Sequence, residues 1–178
     1  MGEWVIEPAT VEALPDILKI EEACFSAPWT RKMMEVELSG NPFAHFLLAK
    51  PLPPCEVDCG PIVAYLCFWV VFEEVRLMNL AVIESMRQKG IAKALVTEAL
   101  ELGQAQAAVR AVLEVRASNR AAHALYRSLG FRNVSTRPMY YTNPTDDALL
   151  MELDPIVLES GRSTQASGRE GGRIRPLQ

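Results

Sequence analysis

LEVRASNRAAHALYRSLGF, residues 113–131, begins as a strand and ends as a capped helix. Leu113 and Val115 are apolar strand residues on either side of a single carboxylate, Glu114. Asn119 is a good N-cap, because its side-chain oxygen can take an orphan amide of the first helical turn. Ala122, Leu125 and Tyr126 then recur at helical spacing, and Gly130 ends the helix after Leu129. Strand, short turn and capped helix in one run are the building unit of a layered domain that mixes strands with helices.

A second such junction lies upstream. RQKGIAKAL, residues 87–95, follows the apolar segment MNLAV (78–82) and opens another helix. A helix N-terminus offers unpaired N–H groups and the positive end of the helix dipole, and phosphates bind there readily. Gly90 and Ala92 are small enough for a ligand to reach the backbone, and Arg87, Lys89 and Lys93 add positive charge. The spacing fits neither the phosphate loop GxxxxGK[ST] nor the dinucleotide fingerprint GxGxxG. It fits R/QxxGxG/A, with Arg87, Gly90 and Ala92 at the defined places. A charged turn before an ordinary amphipathic helix is the plainer alternative, since Leu95, Ala99 and Leu102 supply a core face in either case.

Outward from these junctions the remaining elements follow. WVIEP (4–8) reads as a strand, 11–24 as an amphipathic helix through Leu14, Ile17, Leu18 and Ile20, and FSAPWT (25–30) as a turn. Thr30 is placed to cap a helix over about 30–39 that stops at Gly40. FAHFLLAK (43–50) is a short strand, and PLPPCEVDCGP (51–61) a loop with four prolines. Two long strands follow, about 61–72 and 74–83, then a helix over about 90–106. VRAVLEV (109–115) is a buried strand, 119–128 a helix, and 131–141 and 147–154 a closing antiparallel pair. The order β-α-α-β-β-β-α-β-α-β-β implies one mixed α/β domain with a central, mostly antiparallel sheet. The strands flanking the third helix should run parallel.

Composition bounds the function. The chain has 178 residues, enough for one domain, and 49% are hydrophobic. No apolar run approaches the roughly 20 residues needed to span a bilayer. The first ten residues lack the layout of a secretory signal, so a cytoplasmic setting is expected. Net charge is −4, but residues 159–178 carry four Arg and two Glu, so the rest holds −6. An acidic body argues against general nucleic-acid binding and is compatible with an amine substrate. The tail, rich in Gly, Ser and Arg, reads as disordered; a domain over 1–156 and a basic tail over 157–178 are expected. Cys55 and Cys59 have CxxxC spacing, but His45 and His123 are not placed as a second ligand pair, so no metal is expected.

Two residues of the 113–131 stretch carry side chains able to move protons. Glu114 can act as a general base, through a water, and partial burial would make it a better one. A Glu paired with Arg116 on an exposed strand face is the alternative. Tyr126, twelve residues on, can protonate a departing thiolate; it can equally be a core tyrosine packed with Leu125 and Leu129.

R/QxxGxG/A after a strand, together with N-x-x-A-x-x-x-Y-x-x-x-G-F from Asn119, resembles the two signatures of the GCN5-related N-acetyltransferase (GNAT) superfamily. Over about residues 4–154 the chain is similar to the branch of that family that acetylates the N-terminal alanine of a ribosomal small-subunit protein. MNLAV (78–82), FSAPWT (25–30) and RPMYYTNPTDDALLMEL (137–153) carry the likeness further. The resemblance implies an acyl-CoA N-acyltransferase fold, α/β (α+β), with a twisted central sheet flanked by helices. It implies acetyl-CoA as co-substrate, direct transfer without an acyl-enzyme, Glu114 as general base and Tyr126 as general acid. Cys67 is then a core thiol. Leu80, Ala81 and Val82 should present main-chain groups to the pantetheine arm. Arg87, Gln88, Lys89, Gly90, Ile91, Ala92 and Lys93 should hold the pyrophosphate, and Asn119 should touch the cofactor. Phe25, Trp29, Tyr140 and Tyr141 should bind the acceptor, the N-terminal peptide of a protein, with neither nucleic acid nor membrane as partner.

Three features depart from that pattern: the length of the 51–61 loop, Ala92 where Gly is more usual, and the basic tail. They bear on acceptor choice, because loops beside a groove commonly set it. Transfer to lysine side chains or small amines, and a non-catalytic acyl-CoA-binding regulator, are the competing functions.

Overall fold

The computed structural model describes residues 4–52 and 60–158. Seven strands form one sheet in the order β1-β2-β3-β4-β5-β7-β6. They are β1 (Trp4–Pro8), β2 (Ala44–Pro51), β3 (Ala64–Val71), β4 (Glu74–Val82), β5 (Arg110–Arg116), β6 (Arg132–Thr142) and β7 (Thr145–Leu153). The helices are α1 (Leu14–Cys24), α2 (Arg31–Glu35), α3 (Ile91–Ala105) and α4 (Arg120–Ser128). All pairings are antiparallel except β4 with β5, which are parallel across the α3 crossover. The expected order and the expected parallel pair are both present.

The core lies on both faces of the sheet, which is why β3 reads as an unbroken apolar run. Leu66, Phe68 and Val70 point to one side, where they meet Leu95, Val96, Ala99 and Leu100 of α3. Tyr65 and Cys67 point to the other, where they meet Leu14, Ile17 and Leu18 of α1 and Met34 of α2. Strand β6 is almost wholly exposed and forms the sheet edge, its Arg and Pro residues blunting further pairing.

One difference from expectation is local. Thr30 does cap α2, accepting from the Met33 N–H at 3.3 Å. The helix does not run regularly to Gly40, however: after Glu35 it widens into a π-helical turn over Val36–Gly40. Glu37 in that turn accepts from the Trp69 indole at 2.7 Å and from Asn41 Nδ2 at 2.8 Å, tethering the turn to β3. The chain from Ile156 is also tied down, by its N–H to Val109 O at 2.7 Å and its C=O to Gln104 Nε2 at 3.0 Å. The expectations for Cys55, Cys59 and the tail from residue 159 fall outside the described residues.

The pairing of β4 and β5 is short. Register runs only from Glu74↔Arg110 to Leu77↔Leu113. On its other side β4 shifts register against β3 between Cys67 and Phe68, so that Met78 is an extra residue. A bulge bends and twists its strand. Beyond Met78 the two central strands therefore part, and β4 keeps an unpaired edge toward the gap.

Helix α3 is pressed against this strand. A Cβ at Gly103 would meet Val75 Cγ2 at 2.1 Å. Gly103→Ala is therefore expected to overpack the contact, cost about 1–3 kcal/mol, and lower the melting temperature by several degrees in a thermal denaturation experiment. Gly40→Ala, where no atom lies within 4 Å, is expected to melt near the parent.

Candidate active site

A cleft of about 250 Å³ lies where β4 and β5 begin to part, lined by Trp29, Arg76, Leu77, Met78, Glu114, Tyr140, Tyr141 and Leu150 among others. Glu114 is placed there by β5, with its side chain 26% exposed. It does not pair with Arg116. Its Oε1 meets Arg137 Nη1 at 2.7 Å, whereas Arg116 reaches the turn of the last hairpin, donating to Pro144 O at 2.8 Å and Asn143 O at 3.0 Å. Arg116 also stacks on the Tyr141 ring, 4.1 Å from its centroid.

An irregularity in β6 aims the opposite wall. Register passes from Arg137↔Ala148 to Tyr141↔Asp146, so β6 has two more residues than β7 over that interval. Met139, in this bulge, has φ of 51° and its N–H donates to Asp147 Oδ1 at 2.8 Å. The bulge turns both Arg137 and Tyr140 toward Glu114. A hydrogen bond to Glu114 and that residue's negative charge push the Tyr140 phenol above its ordinary pKa. The Tyr141 phenol is raised too, first by burial and then by the charge of Glu114.

Tyr126 is buried in the α4 layer, edge-on to Phe131 with ring centroids 5.7 Å apart. Burial, with a smaller contribution from Tyr141, pushes its phenol up to about 12. It is thus both a core residue and a neutral proton donor across the physiological range. Tyr141 lines the same cleft as Glu114.

The β4 edge supplies backbone groups. The Ile83 N–H donates to Val63 O at 3.0 Å. By the alternation of an antiparallel ladder, Ala81 also turns its groups to β3, while Leu80 and Val82 turn theirs to the gap. Val82 O is already engaged by Arg87 Nε at 3.1 Å and Cys24 Sγ at 3.6 Å. Of the three residues expected to serve a pantetheine arm, Leu80 therefore has the freest backbone.

The loop after β4 ends at Gly90, which begins α3 with φ of 82° and no side-chain cap. A Cβ at Gly90 would meet nothing within 4 Å, so glycine is there for its backbone angle, not for room. Ala94 N closes the first turn on Gly90 O at 3.0 Å, leaving the N–H groups of Ile91, Ala92 and Lys93 without helical partners. Gln88 also has positive φ, 61°. Lys89 and Lys93 are exposed. Arg87, exposed, donates from Nε to Val82 O at 3.1 Å and from Nη2 to Cys24 Sγ at 3.8 Å. At the second junction Asn119 Oδ1 accepts from the Ala122 N–H at 3.1 Å, so its side-chain oxygen serves the cap.

Phe25 does not line the cleft; it packs against the α1–β3 core, since it directly follows the last turn of α1. Cys67 is fully buried and its thiol is raised by burial and by the charges of Glu37 and Glu21, which makes it a poor nucleophile. Among the described residues no group of three or more His, Cys, Asp or Glu side chains converges as a metal site, and no helix is long and apolar enough to cross a membrane. Two positions escaped sequence reasoning. Arg137 lies in a quoted segment, but only the β6 bulge shows where it points. Glu21 lies on the core face of α1, where a carboxylate among Ile17, Leu18 and Ile20 was the available signal.

The profile of the acetyltransferase (GNAT) family matches residues 14–131, and the chain belongs to that family. It is 33% identical over 141 residues to the putative [ribosomal protein bS18]-alanine N-acetyltransferase of Bacillus subtilis, covering 79% of this chain and 89% of that one. It is 32% identical over 142 residues to the [ribosomal protein bS18]-alanine N-acetyltransferase of Escherichia coli strain K12, covering 79% and 90%. The crystal structure of the Escherichia coli ribosomal-protein-S18-alanine N-acetyltransferase superposes with a TM-score of 0.75 at 27% identity, over 90% of this chain and 99% of that one. The GNAT fold and the likeness to RimI-type enzymes read from the sequence are thus both present.

The raised phenol of Tyr126 has a consequence for stability. A group held above its unfolded pKa stabilises the fold fully below that pKa and loses the contribution as pH climbs through the folded value. For Tyr126 the window is from about 10 to about 12. Tyr65, raised still further by burial and by Glu21, acts in the same direction. The melting temperature is therefore expected to fall above pH 10, and Tyr126→Phe is expected to make that fall shallower.

Proposed function

We propose that this chain is a protein N-terminal acetyltransferase of the RimI type. It transfers the acetyl group of acetyl-CoA to the N-terminal alanine of ribosomal protein bS18, in the cytoplasm. The observation that carries the chemistry is the accessible carboxylate of Glu114 on the wall of the cleft, with Trp29, Tyr140 and Tyr141 in the same lining. The relatives at 33% and 32% identity support the acceptor.

The residues present suit acetyl-CoA as co-substrate. The uncapped N-terminus of α3, with Lys89 and Lys93 beside it, suits a pyrophosphate. The free edge at Leu80 suits an amide-bearing arm that adds like a strand, and its N–H can polarise a thioester carbonyl. An α-amino group has a pKa of about 8, so near neutrality most of it must lose a proton before it attacks. Glu114 takes that proton, through a water. The nitrogen bonds to the carbonyl carbon, the carbon–sulfur bond breaks, and the departing thiolate takes the proton of Tyr126; the nitrogen then gives up its second proton, which returns the phenol to its neutral form. Trp29, Tyr140 and Tyr141 form the acceptor walls. Arg137 and Tyr140 hold the Glu114 carboxylate in place until the acceptor arrives.

Glu114→Gln and Tyr126→Phe are each expected to lower turnover by about 10²-fold or more, with acetyl-CoA affinity little changed. Steady-state kinetics and calorimetry check the two halves of that expectation. Acetyl transfer to three acceptors tests the substrate: a peptide beginning Ala-Arg, the same peptide blocked at its N-terminus but carrying an internal Lys, and small amines. Product mass should show transfer to the free-Ala peptide alone. Transfer to lysine or to small amines would retain the chemistry and replace the acceptor. No transfer with acetyl-CoA bound would point to a regulator.

A further inference from the structure

Glu21 is the one charged side chain among the buried residues described, 1% exposed on the core face of α1. No ion pair among the described residues includes it. It is met instead by donors from three other parts of the fold. The Tyr65 hydroxyl of β3 donates to its Oε2. Asn79 Nδ2 of β4 reaches Oε1 and Oε2 at 3.1 and 3.0 Å, and Tyr65 Oη at 2.9 Å. The Trp29 main-chain N–H donates to Oε1 at 2.7 Å. Burial and the neighbouring carboxylate hold the Tyr65 phenol far above its ordinary pKa, so this donor keeps its proton.

Burying a carboxylate without a counter-charge is unfavourable, and an apolar side chain would serve the packing of α1 better. The convergence of donors shows what the carboxylate does instead. Asn79 directly follows the bulge residue Met78 and directly precedes Leu80, whose backbone faces the gap. Trp29 lines the cleft opposite Tyr140 and Tyr141. Glu21 therefore ties one acceptor wall to the stretch of β4 beside which transfer occurs. The same loop has one further tie, from Ser26 Oγ to Asn143 O of the last hairpin at 3.0 Å, on the exposed side.

We infer that Glu21 is a positioning residue for the acceptor: through the Trp29 amide and Asn79 it sets the spacing between the Trp29 wall and the free edge of β4. The inference rests on the reading of the Glu114 cleft as the acceptor site. Glu21 touches neither substrate, so its loss should be felt in acceptor binding more than in acetyl-CoA binding or in the chemical step.

The test is Glu21→Gln, which keeps the shape but sets an amide N–H₂ against converging donors. KM for the Ala-Arg peptide is expected to rise about tenfold, roughly 1.4 kcal/mol. KM for acetyl-CoA and kcat should stay within about twofold. A second readout needs no turnover: with 5-fluorotryptophan incorporated, the fluorine resonance of Trp29 should move or broaden in Glu21→Gln, while those of Trp4 and Trp69 stay in place. Tyr65→Phe, which removes one donor and keeps the ring, gives a smaller change of the same kind in both readouts and carries the test should Glu21→Gln not fold. Equal changes in both KM values, or an unmoved Trp29 resonance in the folded variants, would overturn the inference. Wild-type protein without transferase activity would count against the proposed acceptor instead, and the Trp29 resonance would still decide the role of Glu21.

Discussion

The parting of β4 from β5 is the constraint on which the rest of the molecule depends. Parallel pairing stops at Leu77↔Leu113, and the extra residue at Met78 bends β4 away. A sheet whose two central strands stayed paired would have neither a cleft nor a free backbone edge at its centre. The bend leaves main-chain groups at Leu80 unpaired, the cleft at its start takes in the carboxylate of Glu114 from the strand that did not bend, and α3 follows the bent strand by way of Gly90. The unpaired backbone groups are costly unless a ligand or water meets them, so an edge in the middle of a sheet is itself a sign of a binding site.

The walls of the cleft are built on irregular segments, each held by polar ties. The bulge in β6 turns Arg137 and Tyr140 inward, and the Met139 N–H is fixed by Asp147. The turn after α1 is fixed from beneath by Glu21 and across its outer side by Ser26. Arg116 holds the hairpin turn through two carbonyls and the Tyr141 ring. Regular elements carry Glu114 and Tyr126, while bulges and loops carry Trp29, Arg137 and Tyr140. That division suits a family in which one chemistry serves many amines.

Much of this was legible in the chain. The alternation of β3 between two cores, the helical spacing of α1, α3 and α4, the caps at Thr30 and Asn119 and the glycine at 90 are local, and each element lies within a few residues of its expected bounds. Glu114 and Tyr126 could be singled out through the likeness to the family's second motif, because spacing alone fits an ion pair on a strand face and a core tyrosine as well. Their surroundings could not. Nothing in the order of residues says that Glu114 meets Arg137 rather than Arg116, because that contact depends on a two-residue excess in β6 relative to β7. Nor does it say that Arg87 bonds Val82 O, that Ala81 faces β3 while Leu80 faces the gap, or that of Phe25 and Trp29, both packed on the α1 core, Trp29 lines the cleft.

The sequence by itself determined the elements, their order and the parallel crossover, because periodicity, capping and backbone permissiveness act over a few neighbouring residues. Only the tertiary structure decided which side chains share a cavity and which donors converge on Glu21, a carboxylate whose partners lie 8, 44 and 58 residues away. Bulges and strand register set those meetings. They depend on how whole strands fit against their neighbours, so they have no signature in any short stretch of the chain.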